Sequence, residues 1–494
     1  MMQAKQHIEN IKAEGLKNLE NSQFRSMVKH LTNQLSDPGH LIPELLQNAE
    51  DAGATNVRIQ LDENRMIFQH DGAKFEDKHV EAICGMCRST KKSSLDYIGT
   101  FGVGFKSTFA VSRNPEIHSG DYSFRFDEET AIVPEWINPE DAHGNWNVTI
   151  VLPLKKDERS YESVLKQIEL FEGNSAKPMI FLGNLKKISI QKNGTETHFE
   201  KGGVEISGLN NLGESFKLVE LRRNGTRGNC FCIFTLPKDI PLELVKHVKK
   251  KRQLELDEGY NYKTNVKIAF EVGNDGHIVM STDGLLSAFL PTKIRSFLSF
   301  DINAGFLLST DREGLESVED KYNCWLIGCA VKAFKEIIES YRQMAPRELW
   351  PDIYRLLPMQ TDVREKWIEK ELCTPIKNYF RESTLFLVSD VDNPWRQLHE
   401  VIESPKEIRA LFPAFSEIDH KSKESGHREY LSESIDEKLR EMLVKEFGLP
   451  KVNEDFLLTE FSEYNVLKEK DTSWFLSLFV LFWEKYSNFY SWSD

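Results

Sequence analysis

Several features are scarce or absent in this chain of 494 residues, and each absence excludes a class of protein. No stretch of about 20 apolar residues occurs, so we expect no transmembrane helix. Residues 1–20 are charged and lack the pattern of a signal peptide. Seven cysteines in this length are typical of reduced, mostly buried thiols. Cys84 and Cys87 have metal-binding spacing, but no second pair follows, which favours structural thiols over zinc. We therefore expect a cytoplasmic protein with no membrane partner.

An excess of basic residues is also missing. The chain holds 63 Lys and Arg against 77 Asp and Glu, a formal net charge of −14. A nucleic acid is therefore not expected as a direct ligand. The length is enough for about three domains with separate cores.

A glycine-rich loop at residues 99–107 is the most distinctive stretch present. Its three glycines allow a ligand to approach the backbone closely, and free N–H groups in such loops commonly bind phosphate. The loop is not a Walker A motif, because Phe105 separates Gly104 from Lys106. Taken alone, a glycine-rich turn without a ligand remains an equal interpretation.

Residues 43–52 predict a helix that carries Glu44, Asn48 and Asp51 on one face, at spacing i, i+4 and i+7. A solvated polar face is the simpler interpretation of such a helix. An amide between two carboxylates also suits a magnesium–nucleotide site, where Asn48 would donate an oxygen ligand to Mg²⁺. A carboxylate one turn away, Glu44, could orient an attacking water.

The next stretch predicts a β-hairpin, with alternating apolar residues at 57–61 and 66–68 around a polar turn. The hairpin leads into Asp71 and Gly72, where a carboxylate at a strand end could accept a hydrogen bond from the amino group of adenine. A polar and basic segment that contains Ser89, Thr90 and Lys91 then precedes the glycine loop.

In this order, the four elements resemble the GHKL ATPases, and the loop is most similar to their heat-shock and sacsin branch. The resemblance implies a Bergerat fold, an α/β sandwich that holds ATP and Mg²⁺ between helices and a mixed sheet. It implies that Glu44 is the general base, that Asn48 binds Mg²⁺ and that residues 84–98 form part of a lid. The other residues it assigns to the nucleotide are Asp51, Asp71, Gly72, Ser89, Thr90, Lys91, Gly99, Phe101, Gly102, Val103, Gly104, Phe105, Lys106, Ser107 and Thr149.

Two positions depart from the family pattern. If Asp71 anchors the adenine motif, Ala73 and Phe75 occupy the glycine positions; if Gly72 anchors it, His70 occupies the aspartate position. We favour Asp71, because a neutral histidine does not mimic a carboxylate acceptor. In the strand at 148–154, Thr149 is adjacent to the position where the family often has threonine, and by alternation it faces the other side.

The rest of the chain suggests a domain order. We predict a helical extension at 1–36, the ATP-binding domain at 37–205, an α/β middle domain at 206–345 and a mainly helical region at 346–494. Arg312 resembles the middle-domain arginine that reaches the γ-phosphate in heat-shock chaperones, and a surface cluster with local ion pairs is the alternative. The basic run at 246–252 is interpreted as a solvated helix face, and the apolar stretch at 474–483 as a core or interface helix.

These features predict Mg²⁺-dependent ATP binding with slow hydrolysis that drives lid and domain closure, in a chaperone-like or switch ATPase. A nucleotide-gated interaction module with little hydrolysis is the alternative; a histidine kinase is disfavoured, because no phosphoacceptor segment is evident. Beyond ATP and ADP, the expected partners are an unidentified protein client or subunit and a second copy in an ATP-dependent homodimer. Resemblance to bacterial sacsin-like ATPases also implies phage defence as one setting.

Overall fold

The computed structural model describes most of the chain, and its contacts divide the chain into two units, 1–345 and 346–494. Both units mix α-helices and β-strands. None of the helices in the described ranges is long and apolar enough to cross a membrane. The described residues are 2–34, 41–85, 104–138, 144–173, 177–252, 261–309, 313–358, 365–418, 428–461 and 470–486.

The described part of the first unit contains α-helices in the predicted N-terminal extension and at the predicted Glu44 helix, others further along the chain, and two short 3₁₀-helices. Two N-terminal helices precede the predicted Glu44 helix, and one long helix occupies most of 320–345. The α-helices are α1 (Met2–Leu19), α2 (Ser22–Gln34), α3 (Leu41–Asp51), α4 (Asp77–Cys84), α5 (Glu158–Gly173), α6 (Leu242–Lys251) and α7 (Lys321–Met344), and the 3₁₀-helices are Gly104–Ala110 and Lys177–Phe181.

Within the described residues, fourteen strands of this unit form one mixed sheet, in the order β13-β12-β14-β11-β10-β9-β8-β7-β1-β2-β6-β3-β4-β5. The strands are β1 (Asn56–Asp62), β2 (Arg65–His70), β3 (Glu116–Ser119), β4 (Tyr122–Arg125), β5 (Glu135–Trp136), β6 (Val148–Pro153), β7 (Lys187–Lys192), β8 (Thr195–Gly203), β9 (Phe216–Arg223), β10 (Thr226–Asp239), β11 (Lys263–Val272), β12 (Leu285–Ala288), β13 (Leu290–Arg295) and β14 (Asp301–Asn303).

The predicted hairpin is confirmed, because β1 and β2 pair antiparallel around a short turn. Alternation along these strands places one set of side chains on the face that α3 covers. Val57 of β1 and Val148 of β6 are buried in the same core cluster as Leu45 and Ala49 of α3. The α3 side of the sheet therefore holds the main core of this unit.

The sheet is continuous past residue 205, where we predicted a domain boundary. Strands β8 and β9 lie on either side of that position and pair antiparallel. The basic run at 246–252 is largely solvated, as predicted, because Lys246, Lys250 and Lys251 are exposed. Lys249 is the exception: it is 3% exposed, and its ammonium lies 4.7 Å from the ring centre of Tyr262.

The second unit consists of short helices and two small sheets. Its last helix buries Leu481, while Phe475, Leu476, Phe479, Val480 and Trp483 are exposed. Its elements are α8 (Lys366–Ile368), α9 (Thr374–Glu382), β15 (Phe386–Leu387), β16 (Trp395–Arg396), β17 (Val401–Ile402), α10 (Lys406–Leu411), β18 (Glu429–Tyr430), α11 (Glu437–Phe447), α12 (Glu454–Phe461) and α13 (Thr472–Tyr486).

Candidate functional site

Helix α3 is held at both ends by side chains. Near its start, the Ile42 N–H donates to Oε1 of Gln167 on α5 at 3.0 Å. Near its end, the Glu50 carboxylate accepts from the N–H groups of Gly183, Asn184 and Leu185 at 2.5, 2.8 and 2.9 Å. These contacts fix the position of the helix relative to α5 and to the turn before β7.

The three predicted polar residues share a face of this anchored helix. Glu44 is 6% exposed, whereas Asn48 and Asp51 are partly exposed. Helix α3 also packs against the 3₁₀-helix Gly104–Ala110, which follows the glycine loop. The fold therefore brings α3, the helix that carries these residues, next to the described end of that loop.

Asp71 directly follows β2, and its carboxylate already accepts hydrogen bonds from the protein. It accepts from the N–H groups of Thr55 and Asn56 at 2.7 and 2.8 Å, and from their side chains at 2.7 and 2.6 Å. Burial would raise the pKa of Asp71, but these hydrogen bonds outweigh it and lower the pKa to about 2. The carboxylate that we favoured as an adenine acceptor holds the start of β1 instead.

His70, the alternative anchor, faces the α3 side of the sheet. Its cross-strand neighbours are Val57 and Val148, both in the core. The ring is 4% exposed, and burial lowers the pKa of His70 to about 4 despite the neighbouring charge of Asp71. The imidazole is therefore neutral at pH 7.

Gly72 is required by close packing around this ring. A Cβ at residue 72 would lie 2.8 Å from the Ala52 oxygen, 3.0 Å from the Ala54 nitrogen and 3.0 Å from Nδ1 of His70. These distances are shorter than normal van der Waals contacts, so a side chain at residue 72 would displace the turn after α3 or the imidazole. They also place His70 beside the C-terminal end of α3.

Thr149 lies on the opposite face of the sheet from His70. It pairs with Gln69 of β2 and with His118 of β3, and it accepts a hydrogen bond from Nε2 of Gln69 at 3.2 Å. Thr149 is 1% exposed, so it is buried on that side. The structure does not bring Thr149 together with the face that carries His70 and α3.

The described end of the glycine loop corrects the assignment of Lys106 to phosphate. Its ammonium donates to the carbonyl groups of Ile83 and Ala131 at 2.9 and 2.5 Å and lies 4.5 Å from the ring centre of Phe126. Burial lowers the pKa of Lys106 to about 8. Phe105 also packs on the Phe126 ring, so both side chains point into the domain.

The structure describes only some of the other residues that we predicted to bind phosphate. Gly104 begins the 3₁₀-helix, and Ser107 is 7% exposed within it. The other predicted positions lie outside the described residues, and they are Ser89, Thr90, Lys91, Gly99, Phe101, Gly102 and Val103.

Arg312 also lies outside the described residues, but the structure describes both sides of it. The Ser309 N–H donates to the Gly314 carbonyl at 2.9 Å, and the Gly314 N–H donates to Oγ of Ser309 at 3.1 Å. Oδ1 of Asn323 accepts from the Leu307 N–H at 2.8 Å, and the Asn323 amide donates back to the Leu307 carbonyl. The two described segments that flank residues 310–312 are therefore joined by hydrogen bonds.

Close to these flanking segments in the sequence, Asp320 caps α7 and is 6% exposed. Its carboxylate lies 2.7 Å from Nζ of Lys251 and 2.8 Å from Nε2 of His247, both on α6. Burial would raise the pKa of Asp320, but hydrogen bonds from Lys251, His247 and the start of α7 lower it to about 2. Lys251 and His247 of α6 thus hold the start of α7.

Comparison with known proteins agrees with the sacsin part of the resemblance. Residues 21–152 match the family model of the Sacsin domain. The chain is 24% identical over 331 residues to Protein NO VEIN of Arabidopsis thaliana and 27% identical over 176 residues to human Sacsin. These alignments cover 62% and 32% of this chain but only 11% and 4% of those proteins. The similarities support a sacsin-like family for the part of the chain that carries α3, the β2 end and the glycine loop.

Among the residues named here, sequence reasoning had assigned no role to Glu50, Gln167 or Asp320. Apart from the capping contacts of Asp320, each acts through partners that are distant in sequence, such as His247, 73 residues from Asp320. The position of His70 was detectable, because Met66, Phe68 and His70 alternate on the core side of one strand.

Proposed function

We propose that the α3 region forms an Mg²⁺-dependent nucleoside triphosphate site of the GHKL type, with ATP as the nucleotide that the family resemblance implies. Slow hydrolysis would drive a conformational switch that acts on a protein client. The support is the sacsin-like similarity over 21–152, the range that holds the helix, the strand end and the loop. A Bergerat fold for this part of the sheet belongs to the same proposal.

One observation carries the proposal: Glu44 is almost fully buried on a helix that is anchored at both ends, one turn before Asn48. Burying a carboxylate is costly, and evolution tolerates that cost chiefly where the group has a structural or chemical task. The contacts that anchor α3 at its two ends are made by Glu50 and by the Ile42 backbone, and Glu44 lies between them. We assign Glu44 as the base that takes a proton from the attacking water.

The residues on this face fit a magnesium ion. Asn48 is partly exposed, and across the described ranges its side chain makes no hydrogen bond, so its oxygen is free to bind a cation. Amide and carboxylate oxygens are the ligands that Mg²⁺ prefers, and one or two protein ligands are typical. When bound, the ion would neutralise charge on the phosphates. Asp51 lies one turn further and would orient water on this face.

Two further groups complete the proposed reaction. The backbone N–H groups of the glycine loop would hold the phosphates. Arg312 would stabilise negative charge that develops on the transferred phosphoryl group, since a guanidinium binds phosphate oxygens in a bidentate way. The residues on either side of Arg312 in the described chain, Ser309 and Gly314, are hydrogen-bonded to each other.

Steady-state ATP hydrolysis by the Glu44→Gln variant tests the proposal. General bases contribute about 10²–10⁴ in rate, so turnover should fall by that factor. Affinity for Mg²⁺–ATP should stay within about threefold, because the lost interaction belongs to the transition state. The matched control is Glu63→Gln in the exposed β1–β2 turn, which should hydrolyse ATP like the wild type.

Two results would contradict parts of this account. Equal turnover by Glu44→Gln and the wild type would show that Glu44 is not the general base. Tight ATP binding by a wild type that shows no turnover would replace the ATPase with the nucleotide-gated interaction module.

A further inference from the structure

The hairpin of β9 and β10 carries three arginines at its exposed end, in a chain whose formal net charge is −14. They are Arg222 and Arg223 on β9 and Arg227 on β10. Residues 222–229 are all exposed, whereas the residues that flank them are buried. A cavity of about 330 Å³ lies at this end of the hairpin and is lined by residues 221–224 and 226–229.

The backbone at this end of the hairpin is held in place by its turn. Asn224 and Gly225 have positive φ angles of 51° and 77°, which a two-residue hairpin turn favours. The Asn224 N–H donates to the His198 carbonyl at 2.8 Å, and its side-chain oxygen accepts from the His198 N–H at 2.7 Å. These two hydrogen bonds fasten the turn to β8, so the arginines project from a fixed backbone.

One buried carboxylate positions two of the three arginines. Glu220 is 2% exposed, and its two oxygens contact Nε of Arg222, at 2.5 Å, and Nε of Arg227. Arg222 and Arg227 are opposite each other across the strands, so they share a face of the sheet with Glu220. Arg223 takes the other face, where its guanidinium lies 5.6 Å from the ring centre of Phe199.

The terminal nitrogens of the two paired arginines remain accessible. About half of each side chain is exposed. Within the described residues, the terminal nitrogens of Arg222 make no hydrogen bond, and those of Arg227 make one, to Sγ of Cys230 at 3.6 Å. Glu200, the cross-strand neighbour of Arg222, is paired with Lys187 at 3.1 Å. Two guanidinium groups are thus held side by side with their outer edges in solvent.

We propose that Arg222 and Arg227 bind a dianionic phosphate group, carried by a phosphorylated side chain or present as free phosphate. Such a group has three acceptor oxygens and a charge of about −1.5 to −2 at pH 7, which two guanidinium groups can bind together. A carboxylate or a phosphodiester carries a single negative charge and does not match both arginines. The site lies on β9 and β10 and does not depend on the proposed nucleotide site.

Calorimetric titration of the wild type tests this inference with three probes. They are inorganic phosphate, a short peptide that contains one phosphoserine, and the same peptide without the phosphate. We expect the two phosphate probes to bind and the unmodified peptide to bind at least about tenfold more weakly than the phosphopeptide. A phosphopeptide at least tenfold tighter than inorganic phosphate identifies a phosphorylated side chain as the ligand, and a smaller difference identifies the free anion.

Lysine substitution separates a bidentate site from a merely basic surface. The double variant Arg222→Lys, Arg227→Lys keeps both positive charges beside Glu220, which protects the fold. Its affinity for phosphate should fall at least about tenfold, because an ammonium cannot copy the planar guanidinium. The single variant Arg222→Gln leaves Arg227 on Glu220 and should also bind about tenfold more weakly. Arg113→Gln, an exposed arginine beside Glu128, is the matched control and should bind like the wild type.

Three results would overturn this inference. The first is that neither phosphate probe binds the wild type. The second is wild-type affinity in the double lysine variant, which would show a diffuse attraction of anions. The third is tighter binding of a single-stranded oligonucleotide than of the phosphopeptide, which would assign the arginines to a nucleic acid. All three leave the proposed function standing, because that is measured by ATP turnover.

Discussion

Two buried carboxylates of the first unit, Glu50 and Asp320, each join separate elements of the fold, and they do so differently. Glu50 fixes α3 by accepting from three backbone N–H groups, which do not titrate. Asp320 joins the start of α7 to α6 through Lys251 and His247, which carry titratable groups. The first support should therefore be rigid under most conditions, and the second should respond to pH. The difference suggests a fixed nucleotide site and an adjustable second element.

Removing Arg312 tests whether these two regions of the fold serve one reaction, and it has the largest expected effect. Arg312→Ala should lower ATP turnover by a factor on the order of 10³, the contribution that arginine fingers make. Affinity for ADP, which lacks the γ-phosphate, should be nearly unchanged. Arg312→Lys should rescue poorly, because an ammonium cannot copy the bidentate geometry of a guanidinium.

Turnover measured beside ADP titration decides this point. If Arg312→Ala hydrolyses ATP at the wild-type rate, the arginine belongs to a surface cluster. It then takes no part in the reaction proposed for the α3 region.

Replacing Glu50 tests the rigid support. In Glu50→Gln, the amide nitrogen turns a donor toward N–H groups that need an acceptor. The free energy of unfolding should fall by roughly 3 kcal/mol, the cost of leaving buried donors unpaired. Urea denaturation measures this change, and amide exchange should accelerate at residues 183–185.

The exposed Glu63→Gln variant is the control for Glu50 and should stay within about 0.5 kcal/mol of the wild type. Equal stability of the two variants would show that the Glu50 contacts contribute nothing to the anchoring of α3.

Replacing Asp320 tests the adjustable support. Asn can still cap α7, so Asp320→Asn removes mainly the charge that pairs with α6. Because the pKa of Asp320 is lowered in the folded state to about 2, its stabilisation is present above the ordinary carboxyl pKa of about 4. The wild type should exceed Asp320→Asn by about 2 kcal/mol at pH 7, and the gap should close as the pH falls from about 4 to about 2.

Denaturation of both proteins across that pH range measures the gap. A difference that does not change with pH would mean that packing, and not charge, accounts for the role of Asp320.

Replacing Lys106 should have the smallest effect of these changes, and it tests the part of the fold next to α3. Burial lowers its pKa to about 8 from the ordinary value near 10.5, so the unfolded chain binds the proton more tightly. Stability should therefore rise with pH above 8, by about 1 kcal/mol between pH 8 and pH 9. Lys106→Met lacks this group and should lack that rise.

The measurement is the difference in unfolding free energy between the wild type and Lys106→Met at those two pH values. A constant difference would contradict the burial of the ammonium group.

Local patterns in the sequence were enough to predict the helices and hairpins near the site. The 3.6-residue spacing of Glu44, Asn48 and Asp51 and the alternation in β1 and β2 depend only on neighbouring residues. The choice between His70 and Asp71 was different, because Asp71 lacks the following glycines and His70 lacks the carboxylate of the family pattern. It depends on Thr55 and Asn56, which lie 16 and 15 residues away and occupy the Asp71 carboxylate.

Lys106 shows the same limit. A lysine after glycines is typical of phosphate loops, and nothing beside it in the sequence indicates that Ile83 and Ala131 supply carbonyl acceptors. The long-range partners of a polar side chain decide whether it faces a ligand or the core, and local patterns do not contain them.

Calorimetric titration of Mg²⁺–ATP into the wild type and Asn48→Ala tests most directly whether the α3 region is a nucleotide site. The wild type should bind, and Asn48→Ala should bind at least about tenfold more weakly, because the protein ligand to the ion is lost. In the absence of Mg²⁺, the two proteins should bind ATP alike. Equal affinity of both proteins for Mg²⁺–ATP, or no binding by the wild type, would contradict the account.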